Sequence, residues 1–150
     1  MALNVTSTGI DFTPQGGSSV NLLDDYEEGT FTGTLRGDAA APSTPVTSTG
    51  KYTKIGRKVY IQITYNTVDT TGASGNFQIT GLPFTADGAY GFGTFHTHGF
   101  TRDTSKWVFP NISGGTTIAA MESSSGGAWT DWQITAGSGK YLICDLHYIV

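Results

Sequence analysis

The sequence predicts an all-β fold, and three observations lead to that prediction. Glycine accounts for 21 of the 150 residues, aromatic residues for 12%, and serine and threonine are heavily used. These residue types fill strands and tight turns. Several stretches alternate apolar and polar side chains with a period of two, which is typical of a strand with one buried face. No stretch keeps a helical apolar period beyond about two turns.

Length and composition narrow the protein class. A chain of 150 residues is expected to form one domain with a real core. Only 13% of the residues are charged and the net charge is −4, which argues against a nucleic-acid surface and favours burial in an oligomer. Cys144 is the only cysteine, so the fold needs no oxidising compartment. With neither a signal peptide nor a long apolar stretch, we expect a product folded in the cytoplasm, without membrane insertion.

Residues 1–20 are predicted to form an extended N-terminal arm, followed by a single domain over 21–150. The arm has isolated apolar residues in a polar background, and Pro14 and Gly16 interrupt regular structure. Such a segment buries little against itself, so it is either a frayed terminus or an arm that docks on a partner. We favour docking, through four apolar residues: Leu3, Val5, Ile10 and Phe12.

A dense acidic cluster at 24–28 precedes the first long predicted strand, whose inward residues are Phe31, Gly33 and Leu35. Its carboxylates could bind Ca²⁺, but their spacing is not that of an EF-hand loop. A solvated turn, or a patch that pairs with basic residues of a neighbour, is favoured.

The central hairpin covers Lys51–Asn66. The turn Gly56-Arg57 has glycine first, which suits a type II′ hairpin. This turn sets Ile55 opposite Lys58 and Tyr52 opposite Ile61. The alternating Val59, Ile61, Ile63 and Tyr65 are predicted to face the core.

Residues 75–82 and 89–100 are predicted to form two further strands. On the second, His96 and His98 project the same way, as two metal ligands on a strand would. A zinc site usually has three or four protein ligands, and the chain offers no convincing third, so no metal is predicted. Surface or interface histidines are favoured; a site shared by several chains around a symmetry axis stays open.

Residues 106–112 and 116–122 are predicted to form a hairpin, and a Gly- and Ser-rich loop follows. Tryptophans beside such loops either pack in the core, which we favour, or stack on the apolar face of a sugar. The candidates for glycan contact are Tyr90, Trp107 and Trp129.

The last predicted strand, Lys140–Val150, is largely apolar on both faces. A strand of this kind is buried on both sides, so its second face is expected to meet another chain. Ile143, His147 and Ile149 are the predicted interface residues. Cys144 lies on the more uniform face and is interpreted as a buried hydrophobe, not a nucleophile.

Recognisable catalytic patterns are missing from the sequence. It contains no G-x-S-x-G elbow, no phosphate-binding loop and no triad spacing, and its acidic residues concentrate in one loop. We therefore predict a non-enzymatic protein with no catalytic residue and no cofactor.

Three segments, LLDDYEEGTFTGTL, GKYTKIGRKVYIQITY and ITGLPFTAD, resemble a recurrent module of tailed-phage virion proteins. The resemblance covers about the first 60% of the chain. It implies a jelly-roll-like antiparallel β-sandwich that forms homotrimers on the virion surface, often at the C-terminal end of a tail fibre.

Two functions are compatible with this resemblance. A capsid decoration (cement) protein would bind the major capsid protein through its arm, and we favour it because the sequence shows no shaft before the module. A tail-fibre tip would instead recognise a host-surface glycan. Neither interpretation involves nucleic acid.

Overall fold

A computed structural model describes residues 4–6, 9–11, 22–23 and 25–150 of the chain, and every regular element there is a β-strand. The all-β prediction is therefore confirmed. The strands are β1 (Asn4–Thr6), β2 (Gly9–Asp11), β3 (Leu22–Leu23), β4 (Tyr26–Gly37), β5 (Val46–Ile55), β6 (Lys58–Val68), β7 (Phe77–Thr80), β8 (Gly91–His98), β9 (Trp107–Ile112), β10 (Thr117–Ser123), β11 (Thr130–Asp131) and β12 (Lys140–Ile149). Over these ranges, no helix has the length and apolarity needed to cross a membrane.

Eight strands form one closed antiparallel barrel. Their order is β10-β7-β4-β5-β6-β12-β8-β9, and β9 then pairs with β10 to complete the ring. The short strand β11 lies outside this ring. It pairs with Met121 and Glu122 of β10, just after the residues of β10 that pair with β7. Closure leaves the long strands without a free edge.

The predicted two-sheet sandwich is replaced by this single closed sheet. Alternation of apolar and polar residues predicts which face of each strand is buried, but a sandwich and a closed barrel place the same residues inside. The predicted hairpin of 106–112 with 116–122 is confirmed by the pairing of β9 with β10. The ring closes because β10 also pairs with β7, and β9 with β8.

The central hairpin has the predicted register. Ile55 pairs with Lys58 and Tyr52 with Ile61, and Gly56 has the positive φ of 57° that such a turn requires. The four predicted core residues of β6 are all buried: Val59, Ile61, Ile63 and Tyr65.

Strand β12 lies between β6 and β8, near the middle of the barrel wall. Its predicted inward face is buried, and includes Leu142, Cys144 and Leu146. On β8 the inward positions include Gly91 and Gly93, where a side chain would overlap the backbone of β12. These glycines therefore allow the two strands to approach closely, as the sequence predicts.

Near the N-terminus, β1, β2 and β3 pair as a small antiparallel sheet of their own. The backbone of Val5 pairs with that of Ile10, both predicted arm contacts. The other two, Leu3 and Phe12, lie outside the described residues. The docking role of the arm and the domain boundary at residue 20 stay predictions.

Candidate functional site

An exposed aromatic cluster is the most distinctive feature of the described surface. Trp129 lies at its centre, with the ring centroids of Phe109 and Tyr90 at 5.8 Å and 6.5 Å. Both neighbouring rings stand nearly perpendicular to the indole, at 77° and 84°. Trp129 and Tyr90 are 60% and 69% exposed, so the three rings, which we call the aromatic patch, form a corner open to solvent.

Three separate segments build the aromatic patch. Phe109 lies on β9, Tyr90 directly precedes β8, and Trp129 directly precedes β11. A tight turn presents Trp129: the amide of Gly127 donates to the carbonyl of Ser124 at 3.0 Å, and Gly126 has a φ of 71°. Because β11 is then fixed to β10, the indole is held against Phe109.

Trp107, the third predicted glycan contact, lies two residues before Phe109 on β9 and is 64% exposed. The period of the strand places both on the same face. The loop before it is ordered by Asp103, which accepts hydrogen bonds from the amide and hydroxyl of Ser105. These bonds hold the pKa of Asp103 below its usual range.

Phe109 is the member of the aromatic patch that sequence reasoning missed. The alternation in KWVFPNI puts it on the side of Trp107, so the strand pattern contained the signal. Trp132, by contrast, is buried, and its ring stacks on Phe77 with centroids 5.3 Å apart. Of the three tryptophans, one therefore packs in the core and two are exposed.

Two carboxylates far apart in sequence also come together. Asn76 donates from Nδ2 to Asp38 at 3.0 Å and to Asp131 at 3.1 Å, and its Oδ1 accepts from Gln133. Contrary to the expectation from the sequence, the acidic residues are therefore not all concentrated in one loop, because Asp38 and Asp131 form a second pair. Both carboxylates accept a hydrogen bond from Asn76, so the cluster connects the residue after β4, Asp38, to Asp131 of β11.

The acidic cluster before β4 contacts basic and phenolic groups of the same chain. Asp25 forms an ion pair with Lys54, and the Tyr52 hydroxyl donates to Glu27. That hydrogen bond raises the pKa of Tyr52. Asp25 therefore pairs with a basic residue of its own chain, whereas the pairing with a neighbour stays a prediction; Asp24 lies outside the described residues.

The predicted interface residues lie on the outer face of β12. Ile143 is 40% exposed, and His147 and Ile149 are half-buried. The His147 ring lies between those of Tyr60 and Phe92, with centroids at 5.9 Å and 5.0 Å. His96 and His98 share this outer face on the neighbouring strand and are both exposed.

The barrel has a counterpart in a tailspike protein. Part of the crystal structure of Dettilon tailspike protein (gp208) superposes with a TM-score of 0.59 at 16% sequence identity. The match covers 83% of this chain and 24% of that one, and at this identity it shows a shared fold. No protein-family model and no curated protein matches the chain.

Proposed function

We propose that this protein is a non-enzymatic surface module of a bacteriophage virion, associated with the tail, that recognises a glycan of the host cell. The observation that carries the proposal is the aromatic patch, Tyr90, Phe109 and Trp129. Contiguous apolar patches on a protein surface often mark binding sites, and here two exposed rings and the half-buried Phe109 lie together. The motif resemblance and the fold shared with part of a tailspike support the placement on a virion.

The geometry of the aromatic patch suits a sugar. A pyranose presents an apolar face of C–H groups and a rim of hydroxyls. One ring of the corner would stack under the apolar face while a perpendicular ring bounds its edge. Trp and Tyr contribute this contact area at little cost in conformational entropy, since each has two side-chain torsions.

Capsid decoration was the interpretation that the sequence favoured, and the present proposal departs from it. In that interpretation the N-terminal arm attaches the protein to the capsid, and two of the arm's contact residues, Leu3 and Phe12, lie outside the described residues. The tail interpretation depends on a surface assembled by described residues. A homotrimer on the virion surface, assembled in the host cytoplasm, remains part of the proposal.

Glycan binding is tested on an array of bacterial surface polysaccharides, followed by titration of the strongest binder. We expect Trp129→Ala and Tyr90→Ala each to weaken binding by roughly 30-fold, about 2 kcal/mol, as central aromatic residues do in other interfaces. Tyr26→Ala is the matched control, because Tyr26 is 55% exposed but lies on β4, outside the aromatic patch. Unchanged binding by the Trp129 and Tyr90 variants would reject the assigned site.

The placement on the particle needs a separate experiment. Electron microscopy of virions labelled with a gold-conjugated antibody to this chain should show label at the tail. Label spread over the head would instead favour capsid decoration and overturn the tail assignment, whatever the array shows.

A further inference from the structure

We infer that His96 and His98 form a two-imidazole site for a divalent transition-metal ion on the outer face of β8. Both side chains are exposed and point outward from the same strand. Residues two apart on a strand are separated by about 7 Å. Imidazole nitrogens on side chains so spaced can converge on one ion at the usual distance of about 2.0–2.1 Å.

A β-bulge in the neighbouring strand pair shapes the surroundings of this site. Lys140 pairs with Val68 and Leu142 with Tyr65, so two residues of β6 stand opposite the single residue Tyr141. One of the two, Thr67, has a φ of 51°. A positive φ is costly for a β-branched residue, and bulges commonly re-aim a side chain next to a functional site.

The bulge orients Tyr141 against the histidines. The hydroxyl of Thr67 donates to the hydroxyl of Tyr141 at 2.8 Å. The Tyr141 ring meets that of His98 with centroids 5.6 Å apart and planes at 69°. His98 is therefore held by a ring that is itself fixed, and a fixed imidazole loses less freedom when it binds a metal.

The two histidines line a shallow surface depression, and the chemistry of its lining residues indicates which metals would bind. Its lining includes Asn66, His96, His98, Tyr141 and Ile143, and no carboxylate. Imidazole ligands suit copper, nickel and zinc, whereas magnesium and calcium require several hard oxygens. Within the described residues no group of three or more histidine, cysteine or carboxylate side chains could hold a metal, so this site has two protein ligands, fewer than a structural zinc site, and water fills its remaining positions. This inference does not depend on the proposed glycan binding.

His147, the third histidine of the chain, provides a matched control. It lies on β12, opposite Phe92 of β8 and Tyr60 of β6, and its ring is flanked by both aromatic rings. His147 therefore has no second imidazole, either directly opposite it or two residues away on its own strand. A histidine that merely attracts metal non-specifically would behave like His147.

The test is calorimetric titration of the full chain, prepared without a polyhistidine tag, with NiCl₂, CuCl₂ and MgCl₂. We expect one Ni²⁺ per chain, tighter binding of Cu²⁺ than of Ni²⁺, and no heat from Mg²⁺. His96→Gln and His98→Gln should each weaken Ni²⁺ binding more than about tenfold, while His147→Gln binds as the wild type does. Equal affinity in the His96→Gln/His98→Gln double variant would overturn the site.

Electron paramagnetic resonance of the Cu²⁺ complex gives an independent readout. The wild type should show hyperfine coupling to two imidazole nitrogens, and each single variant coupling to one. Two further results would overturn a site made within one chain: a spectrum unchanged by both variants, or a saturation ratio of one ion per two or three chains. Because both histidines are exposed, glutamine at either position is compatible with the fold.

Discussion

Cys144 illustrates how a single buried residue couples the fold to pH. It lies inside the barrel between Leu142 and Leu146 on the inward face of β12, and its side chain is fully buried. Burial raises the pKa of its thiol above the ordinary 9.0. The folded protein therefore keeps a proton that the unfolded chain releases above pH 9.0.

The free energy of unfolding should consequently fall as pH rises above 9, by up to about 1.4 kcal/mol per pH unit from this group. Cys144→Ala should remove that component of the slope. Urea unfolding of both proteins between pH 8 and pH 10 measures the difference. Parallel pH dependences in the two proteins would contradict the prediction.

Three other buried groups titrate in alkali, namely Lys140, Tyr65 and Tyr148. Burial lowers the pKa of Lys140, so its charged form is disfavoured in the fold and stability gains as pH approaches 10.5. Burial also raises the pKa of Tyr148 to about 12, which costs stability above pH 10. Lys140 and Tyr148 are present in the wild type and in Cys144→Ala, so their contributions cancel in the difference. Burial raises the pKa of Tyr65, and the charge of Cys144 adds to that rise, so the difference measures the thiol together with this coupling.

At the scale of strands and turns, the three motifs that resemble phage modules pack against one another. The acidic segment at the start of β4 pairs with the KYTKIG segment of β5, where Lys54 forms an ion pair with Asp25. From the GLPF segment, Phe84 places its ring edge-to-face against Tyr52 at 5.2 Å and 5.8 Å from the Lys54 ammonium. The motifs therefore specify one contact cluster of the barrel.

Gly29 is a position in this cluster where a side chain would overlap another side chain, that of Tyr52. A Cβ there would lie 2.6–2.8 Å from the phenol end of Tyr52. We expect Gly29→Ala to lower the free energy of unfolding by about 1–3 kcal/mol, as overpacking does. In a Tyr52→Ala background the obstacle is gone, so the same change should cost little.

Gly93→Ala is the control for this double-mutant cycle. Its Cβ would overlap the backbone carbonyl of Asp145, which no side-chain truncation removes. We therefore expect it to remain destabilising in the Tyr52→Ala background. Urea unfolding of the single and double variants measures all four costs, and equal costs of Gly29→Ala in both backgrounds would contradict the steric explanation.

These elements also show what the sequence could predict. The register of the central hairpin followed from one two-residue turn and the alternation around it, because both constraints are local. The hairpin of β9 with β10 was also predicted, from the local break between the two strands, and the structure confirms it. The pairing of β10 with β7 and β11 on its other edge was not predicted, because it depends on how the whole ring closes. Local signals therefore predicted faces and turns, and left the sheet topology open.

At the scale of the whole molecule, closure of the barrel also assembles the surfaces. Tyr90, Phe109 and Trp129 belong to three segments separated by about 20 residues each, and ring closure brings β8, β9 and β10 side by side. The sequence indicated Tyr90 and Trp129 as individual candidates. It could not place them in one patch, because that also requires the pairing of β8 with β9 and of β11 with β10, which no local signal indicated.

The outer face of β12 and its two neighbours is the surface we propose as the subunit interface of a homotrimer. Tyr60, His147 and Phe92 form a row across β6, β12 and β8, and Phe92 is 61% exposed. Ile149 extends this row along β12. Ile143, the third predicted interface residue, lies opposite one histidine of the proposed metal site and therefore beside that site, outside the row. Burying these apolar side chains between chains would supply about 25 cal/mol for each Å² removed from water.

Phe92→Asp should dissociate the oligomer, because a carboxylate buried without a partner costs several kcal/mol. Light scattering should then give the mass of a single 15.8 kDa chain for the variant and three times that mass for the wild type. Thr32→Asp adds the same charge at an exposed position of β4, outside this row, and should leave the mass unchanged. A wild type that is monomeric, or a Phe92→Asp variant that keeps the trimer mass, would reject this interface, because its central contact would then carry no association energy.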